Sequence, residues 1–508
     1  MQNPYISQMK PVILLLTMFQ LFSTLVSAQA PIPPPVINNF TRLTSYDELT
    51  SYIQAIEKQS KILKTEIIGQ SVKGRNLYAL KFSASEVGKD HTKIKVLIFA
   101  QQHGNEQSGK EGILLLTREL LKPENRHLFD KIDLVLVPQV NPDGSELNQR
   151  RNANGMDLNR NHLILTEPET IALHKFFDRY LFEVTMDVHE YWPFGDEWKK
   201  YGYRKNFDIT VGATTNINVA EEIRKLSNNG YLPFIFKYLK ARNFSSFTYS
   251  PGGPPELAYI RHSTFDINDG RQSFGIQGTF SFIQEGMNGK EDSIENMQHR
   301  ANGQMTGMRG LLEYVYKNNK EVKSLVDGER KKFVSPETGQ EISIQSEHVA
   351  NGQLLKIPLF SYFSGKDSVV TVKDYRPVVK SLYDVRKPLG YLIPKDCTIL
   401  VEWAGRHALK LVPLKNISGY QIGQYAITAL DSLDFEGDRT VNPQVVLNVL
   451  KELPAGPGFI FIPTSQLKGD LLVLALEPKS TLGLITYEKY APLLKIGQPY
   501  PVLRVMKK

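Results

Sequence analysis

The chain has 508 residues, of which 41% are hydrophobic and 22% charged, and a formal net charge of +8. These values are typical of a soluble globular protein with two or three domains. A basic balance can favour anionic envelope polymers as partners, but the Lys and Arg residues form no clustered stripe. The composition therefore predicts no nucleic-acid partner.

The first residues, 1–28, have the pattern of a signal peptide. Lys10 precedes the apolar run PVILLLTMFQLFSTLVSA, and the small residues VSA at 26–28 suit a signal peptidase. We expect cleavage near Ala28 rather than a retained membrane anchor, and no stable membrane span in the cleaved protein. The tract PIPPP within residues 29–40 predicts a short, extended Pro-rich linker.

Cysteine usage bears on the compartment. An exported chain whose only cysteine is Cys397 can form no internal disulfide. The exit of the signal peptide also lacks a cysteine that a lipid could modify. This pattern favours a secreted or periplasmic bacterial protein over an animal secretion.

Strand and helix patterns alternate over residues 41–320. The runs KIKVLIFA, KIDLVLVPQV and EVTMDV predict strands, and SYDELTSYIQAIEKQ, EGILLLTRELL and TEPETIALHKFFDRYL predict amphipathic helices. This order predicts an α/β fold with a mixed, mostly parallel sheet flanked by helices. Residues 321–508 instead contain many short Val, Ile and Leu runs punctuated by Gly and Pro, which predicts a smaller β-rich C-terminal region of one or two domains.

Three predicted strands lead into residues that can bind metal or transfer protons. KVLIFAQQ precedes His103 and Glu106, EVTMDV precedes His189, and GTFSFIQ precedes Glu285. Ligands of such sheets gather at the carboxyl ends of the strands. A lone strand-end histidine is more often structural, but two histidines and a glutamate together form a three-ligand zinc set that leaves one position for water. Glu285 then remains to activate that water.

Six motifs in this order resemble the zinc metallocarboxypeptidase family with the carboxypeptidase A-like fold. They are GQSVKGR at 69–75, HGNE at 103–106, NPDG at 141–144, RRNANGMDLNRN at 150–161, DVHEY at 187–191 and FSFIQEG at 280–286. The resemblance covers residues 41–320 and is strongest to the branch of carboxypeptidases E and N. His162-Leu163 replaces the Phe-Pro that commonly follows NRN in that branch. The C-terminal extension is similar to that of some large bacterial members.

The resemblance implies a zinc site with its supporting acids. One Zn²⁺ per chain would be held by His103, Glu106 and His189. Asp157 would accept the ring N–H of a zinc-bound histidine, His103, and so fix its tautomer. Glu285 would be the general base, with Glu190 as the alternative to examine if Glu285 proved structural.

The resemblance also implies substrate contacts. Arg150 would polarise the scissile carbonyl, although the neighbouring Arg151 leaves the register open by one residue. Asn159 and Arg160 would bind the terminal carboxylate of the substrate, because an arginine fork matches a carboxylate. NPDG reads as a turn and is assigned no chemistry.

Side-chain specificity stays open at the sequence level. Tyr249 and Tyr259 are both candidates for the tyrosine that covers the substrate. Asp269 and Arg271 lie in the stretch that often lines the side-chain pocket, where an acid would select basic residues and a base acidic ones.

The sequence thus predicts an exported zinc carboxypeptidase that acts on the C-termini of peptides or proteins. Cell-wall peptides are an alternative substrate class that the sequence leaves open. Two alternatives of other classes remain. One is a zinc amide hydrolase of the aspartoacylase or succinylglutamate desuccinylase type, and the other is a non-catalytic envelope-binding protein. The C-terminal region would either pack against the catalytic domain or bind an envelope polymer.

Overall fold

The computed structural model describes residues 30–335, 339–413, 419–435 and 438–508. The predicted signal peptide, residues 1–28, lies outside the described residues. Among the helices of the described ranges, none combines the length and the apolar character that a membrane crossing requires.

The α-helices and β-strands of the described residues alternate in the first part of the chain, and strands dominate the second. The α-helices are α1 (Pro34–Ile37), α2 (Tyr46–Gln59), α3 (Ser108–Leu120), α4 (Pro142–Glu146), α5 (Pro168–Tyr180), α6 (Asp196–Lys200), α7 (Glu221–Leu226), α8 (Leu232–Lys240), α9 (Gly270–Gly275), α10 (Met297–Val334), α11 (Thr398–Arg406) and α12 (Gly469–Leu476). The strands are β1 (Leu63–Gln70), β2 (Asn76–Phe82), β3 (Ile94–Ala100), β4 (Ile132–Val137), β5 (Val184–Tyr191), β6 (Tyr203–Lys205), β7 (Ile209–Ala213), β8 (Ser246–Thr248), β9 (Ile260–Arg261), β10 (Phe280–Met287), β11 (Glu341–Val349), β12 (Leu355–Ser361), β13 (Lys366–Val372), β14 (Tyr375–Arg376), β15 (Val378–Arg386), β16 (Gly390–Pro394), β17 (Tyr420–Phe435), β18 (Asp438–Leu450), β19 (Phe459–Pro463) and β20 (Pro499–Lys507).

The main sheet has eight strands in the order β1-β2-β4-β3-β5-β10-β7-β8. Its four central strands, β4, β3, β5 and β10, are parallel to one another, and antiparallel pairs flank them on both sides. The predicted α/β fold with a mixed, mostly parallel sheet is therefore confirmed. The parallel strands β3, β5 and β10 are neighbours, so their carboxyl ends meet at one edge of the sheet.

Strand β3 illustrates why the central strands read as continuous apolar runs. Val96 and Ile98 belong to one hydrophobic core, whereas Leu97 and Phe99 belong to a second core on the other face. Helices α3 and α10 contribute to the first core, and α5 contributes to the second. Both faces of the sheet are covered, so alternate residues of a central strand must all be apolar.

The sequence predicted an extended Pro-rich tract, but the structure shows that part of it is helical. Pro34–Ile37 form the short helix α1, with Pro34 and Pro35 buried. A proline in the first helical turn loses no hydrogen bond, and its fixed φ suits a helix. The following helix α2 begins with a capping box, in which Ser45 and Glu48 each satisfy the other's backbone N–H.

The predicted domain boundary at residues 320 and 321 falls inside helix α10, which continues to Val334. Residues 321–334 form a helix because apolar residues at helical spacing, such as Val322 and Val326, pack into the main core. The β-rich part begins with β11 at Glu341. Its largest sheet has the antiparallel order β18-β17-β20-β16-β19.

The C-terminal part packs against the first part of the chain. The largest hydrophobic core contains Ile98 and Leu311 together with Ile344, Leu472 and Val502. Two strands of the first part also pair with C-terminal strands: β6 with β12, and β9 with β14. The C-terminal region thus supplies backbone hydrogen bonds to segments that lie near the site described next.

Candidate active site

His103, Glu106 and His189 bring three metal-binding atoms together at the carboxyl edge of the main sheet. Nδ1 of His103 lies 2.8 Å from Oε1 of Glu106, and Nδ1 of His189 lies 2.8 Å from Oε2 of the same carboxylate. The two Nδ1 atoms are 3.1 Å apart. All three side chains are buried. Burial opposes ionisation of Glu106, but the two imidazoles hold its pKa well below the ordinary value.

The outer nitrogens of both histidines face carboxylates. Nε2 of His103 is 2.9 Å from Oδ1 of Asp157, and Nε2 of His189 is 2.8 Å from Oδ1 of Asp187. A carboxylate acceptor favours the tautomer that carries its proton on Nε2, which leaves a lone pair on Nδ1. Once metal binding has displaced any proton from the Nδ1 atoms, two such lone pairs and a carboxylate oxygen converge on one point, which suits zinc.

Asp187 was not among the sequence-predicted site residues. It lies two positions before His189 on β5, so both side chains project from the same face of the strand. Its Oδ2 also accepts a hydrogen bond from Nε2 of Gln102 at 2.7 Å. The period of two along the DVHEY motif was the signal that could have identified it.

Tight backbone contacts position the HGNE loop. A Cβ on Gly104 would lie 2.1 Å from the carbonyl carbon of Gly144, so the HGNE and NPDG loops can meet only through glycine. Gln101 has a φ of 59°, which is unusual for a residue with a side chain. Its amide Nε2 donates to Gln107 at 2.8 Å and to Ser145 at 2.9 Å. NPDG therefore shapes the ligand loop.

Glu285 lies beside the ligand cluster on strand β10. It is the register partner of His189 on the parallel neighbour β5, and its side chain lines the cavity in front of the cluster. Burial raises the pKa of Glu285 to about 7, with the His189 imidazole opposing and the Glu106 carboxylate adding to this effect. A carboxylate with this pKa can both accept and return a proton near neutral pH.

Arg150 reaches the ligand atoms, whereas Arg151 does not. Nη1 of Arg150 lies 3.2 Å from Nδ1 of His103 and 3.4 Å from Oε1 of Glu106, and Nη2 is 2.9 Å from Oδ2 of Asp157. Arg151 donates instead to the backbone oxygen of Gly155. The placement favours Arg150 for the predicted contact with the scissile carbonyl.

Asn159 and Arg160 both line the cavity, but they differ in how many of their side-chain polar atoms are already bound within the protein. Oδ1 of Asn159 accepts from the backbone N–H of Gly270 at 2.8 Å, and its Nδ2 is 3.3 Å from Nε2 of His189. Arg160 donates to the backbone oxygen of Asn159 at 2.9 Å. Arg160 is thus the better placed of the two for a substrate carboxylate, and Asn159 is tied to the loop and to His189.

The cavity in front of the ligand cluster has a volume of about 370 Å³. The residues that line it distinguish between the specificity candidates that the sequence left open. Tyr249 lines it, whereas Tyr259 stacks against the Arg376 guanidinium, 4.0 Å from the ring centre. Asp269 and Arg271 form an ion pair with each other at 2.8 Å. The placement favours Tyr249 as the tyrosine that covers the substrate. Asp269 and Arg271 are bound to each other, so they do not act as two opposed determinants of the substrate side chain.

Glu190, the alternative base, is engaged elsewhere. Its Oε1 accepts hydrogen bonds from Nε and Nη2 of Arg300 at 3.0 and 2.6 Å. Its Oε2 accepts from the backbone N–H of Ser108 at 3.0 Å. A carboxylate held by a buried arginine is poorly suited to accept a proton.

The matches to known proteins agree with the ligand geometry. Residues 49–199 match the family model described as zinc carboxypeptidase. Carboxypeptidase 2 of Trichophyton rubrum is 24% identical over 451 residues, which cover 86% of this chain and 81% of that protein. The catalytic chain of human carboxypeptidase N is 26% identical over 326 residues, which cover 54% of this chain and 69% of that one. Residues 49–199 thus form a zinc carboxypeptidase domain.

The domain match and the carboxypeptidase relatives confirm the resemblance to zinc metallocarboxypeptidases and the prediction of a metallopeptidase. Carboxypeptidase N is also in the branch that the HGNE and NANG motifs indicated. A carboxypeptidase A from Helicoverpa armigera superposes with a TM-score of 0.44 at 17% identity, covering 60% of this chain and 82% of that one. These two curated relatives are fungal and human, so the expected bacterial source stays a prediction.

Proposed function

We propose that this metallocarboxypeptidase is exported and removes single amino acids from the C-termini of peptides, with one zinc ion held by His103, Glu106 and His189. The observation that carries the proposal is the convergence of three ligand atoms beside Glu285 in a cavity that also contains Arg160. Export is supported by the sequence pattern of residues 1–28.

Zinc in this site supplies a Lewis acid that polarises a carbonyl and lowers the pKa of water. Arg160 binds the free carboxylate of the substrate, so that the last peptide bond lies in front of the ligand cluster. Glu285 accepts the proton that the attacking water loses and passes it to the leaving amine. Arg150 donates a hydrogen bond to the carbonyl oxygen as negative charge develops on it.

The acids behind the histidines keep this arrangement in place. The hydrogen bond to Asp157 holds the His103 imidazole in the tautomer that presents Nδ1 to the metal, and the Asp187 carboxylate, 2.8 Å from Nε2 of His189, favours the same tautomer there. Asp157 also binds Arg150, so one carboxylate orients both a metal ligand and the residue that contacts the carbonyl.

The test compares matched peptides with a free or an amidated C-terminus. Purified, zinc-loaded protein should release one residue at a time from the free peptides, as read by mass spectrometry, and should act much more slowly on the amides. Muropeptides form a second substrate set that tests cell-wall peptides. Internal cleavage, or release of an acyl group alone, would contradict the proposal.

A further inference from the structure

Lys205 is a cation in the active-site cavity that no predicted role uses. It lies at the end of strand β6 and lines the same cavity as Glu285 and Arg160. Its Nζ donates to the backbone oxygen of Ser250 at 2.6 Å and lies 5.4 Å from the ring centre of Trp198. Within the part of the chain that the structure describes, Lys205 has no ion-pair partner.

The acids of the cavity are all committed to other groups. Glu190 is bound by Arg300, and Asp269 is bound by Arg271. Glu106 lies between the two imidazoles, and Glu285 stands beside them as the proposed base. No cavity acid of the described residues is therefore left to receive a basic substrate side chain, whereas one cation is available for an acidic one.

The ammonium group of Lys205 is poorly solvated. Burial lowers its pKa to about 8, with the Glu285 carboxylate opposing this effect. The group therefore still carries its charge at neutral pH. A partly desolvated charge without a counter-ion is unfavourable, and a ligand carboxylate would relieve that cost.

The C-terminal region holds Lys205 in position. Strand β6 pairs with β12, where Lys205 is the register partner of Leu359. The preceding Arg204 lies over the rings of Phe194 and Phe360, at 5.1 and 4.5 Å from the ring centres. A lysine on a paired strand with packed neighbours is better suited to recognition than one on a free loop.

We propose that Lys205 is a specificity-determining residue that binds a carboxylate on the side chain of the substrate's last residue. Substrates that end in Glu or Asp are then preferred over those that end in neutral or basic residues. This inference rests on the proposed carboxypeptidase function and adds the class of residue that is released.

The experiment measures kcat/KM on peptides that differ only in a last residue of Glu, Gln, Leu or Lys. The wild-type protein should favour Glu over Gln by roughly 10-fold or more, the value expected of a charge-assisted hydrogen bond. Lys205→Met should reduce that ratio to about 1 while the Gln peptide changes little, and Lys205→Arg should retain the preference. Lys205→Glu should favour the Lys peptide.

Lys200→Met is the matched control, because Lys200 is an exposed lysine on helix α6. It should leave every ratio unchanged. Equal wild-type rates on the Glu and Gln peptides would overturn the role of Lys205 without affecting the carboxypeptidase function, and so would an unchanged ratio in Lys205→Met. Failure to release a residue from any peptide would instead overturn the proposed function. If Lys205→Met fails to fold, the wild-type ratio of kcat/KM on the Glu peptide to that on the Gln peptide still tests the predicted preference.

Discussion

At the scale of single residues, the atoms that we propose to bind metal are distinct from the carboxylate that we propose to move protons. The ligand atoms belong to His103, Glu106 and His189, and Glu285 stands on the adjacent strand without being part of that cluster. A base with a pKa of about 7 needs little driving force to take and return a proton near neutral pH. Zinc binding and turnover should therefore respond differently to substitution.

Glu285→Gln keeps the shape of the side chain and removes the base. We expect kcat to fall by a factor of roughly 10² to 10⁴, the usual contribution of a general base, while zinc content and binding of a C-terminal peptide persist. Elemental analysis, peptide titration and steady-state kinetics measure the three quantities. Glu197→Gln, at an exposed position of helix α6, is the control. Near-normal turnover in Glu285→Gln with zinc in place would make Glu285 a structural acid.

His189→Ala should lose the metal. Removing one of three protein ligands leaves two, which hold zinc much more weakly. After dialysis, the zinc content per chain should fall far below that of the wild type. His91→Ala, an exposed histidine in a loop, should keep its zinc. A His189→Ala protein with full zinc content would refute the ligand assignment.

At the scale of elements, helix α11 connects the C-terminal region to the loop behind the site. Trp403 Nε1 donates to the backbone oxygen of Leu163 at 2.9 Å. The preceding His162 has Nε2 at 2.7 Å from Oε1 of Gln102, and Gln102 donates to Asp187, which faces His189. His162 and Leu163, which depart from the pattern of the carboxypeptidase E and N branch, thus join α11 to the site.

Trp403→Ala should lower the free energy of unfolding by about 3 to 5 kcal/mol, the usual cost of removing a buried tryptophan. The side chain is only 1% exposed, and its packing links the two parts of the chain. Urea unfolding followed by fluorescence and by loss of activity measures this value. Glu402→Ala, its exposed neighbour on α11, should change stability little. A loss below about 1 kcal/mol would mean that α11 does not stabilise the fold.

At the scale of the whole molecule, buried neutral histidines make the fold sensitive to acid. His162, His174 and His407 lie together where the two parts of the chain meet. Burial lowers the pKa of His162 to about 3, and burial with the nearby Lys468 lowers that of His407 to about 3. Between pH 6.5 and 3 the unfolded chain binds protons at these histidines that the folded chain does not. Their contribution to stability is therefore complete above pH 6.5 and is lost as the pH falls.

His407→Gln should make the protein less sensitive to acid. Each such histidine costs about 2 kcal/mol between pH 6.5 and 5, from roughly 1.36 kcal/mol per pH unit. The difference in unfolding free energy between pH 7.5 and 5.0 should therefore shrink by about that amount. Glutamine can still donate to the Leu163 oxygen that His407 Nε2 contacts at 2.6 Å. His91→Gln is the exposed control, and equal pH dependence in the wild type and His407→Gln would contradict the prediction.

From the sequence alone one can predict the α/β order, the zinc carboxypeptidase domain, and the clustering of His103, Glu106 and His189 beside Glu285. These depend on local patterns: apolar runs mark the buried strands, and polar residues that follow parallel strands must meet at one edge of the sheet. It also identified Asp157, because the whole DLNRN motif is contiguous. The helical turn in the Pro-rich tract and the extension of α10 past residue 320 were not predicted, because both depend on packing against distant residues.

Which of several similar residues face the site depends on how the chain packs in three dimensions. Arg150 and Arg151 are adjacent in sequence, and only the fold of their loop turns the first toward His103. The pairing of Asp269 with Arg271 likewise resolves two opposed charges that the sequence left open. Lys205 gave no sequence signal, because its place in the cavity depends on strand β6 pairing with β12, more than 150 residues later in the chain. Contacts between residues so far apart are fixed by packing and backbone pairing, which a local pattern does not contain.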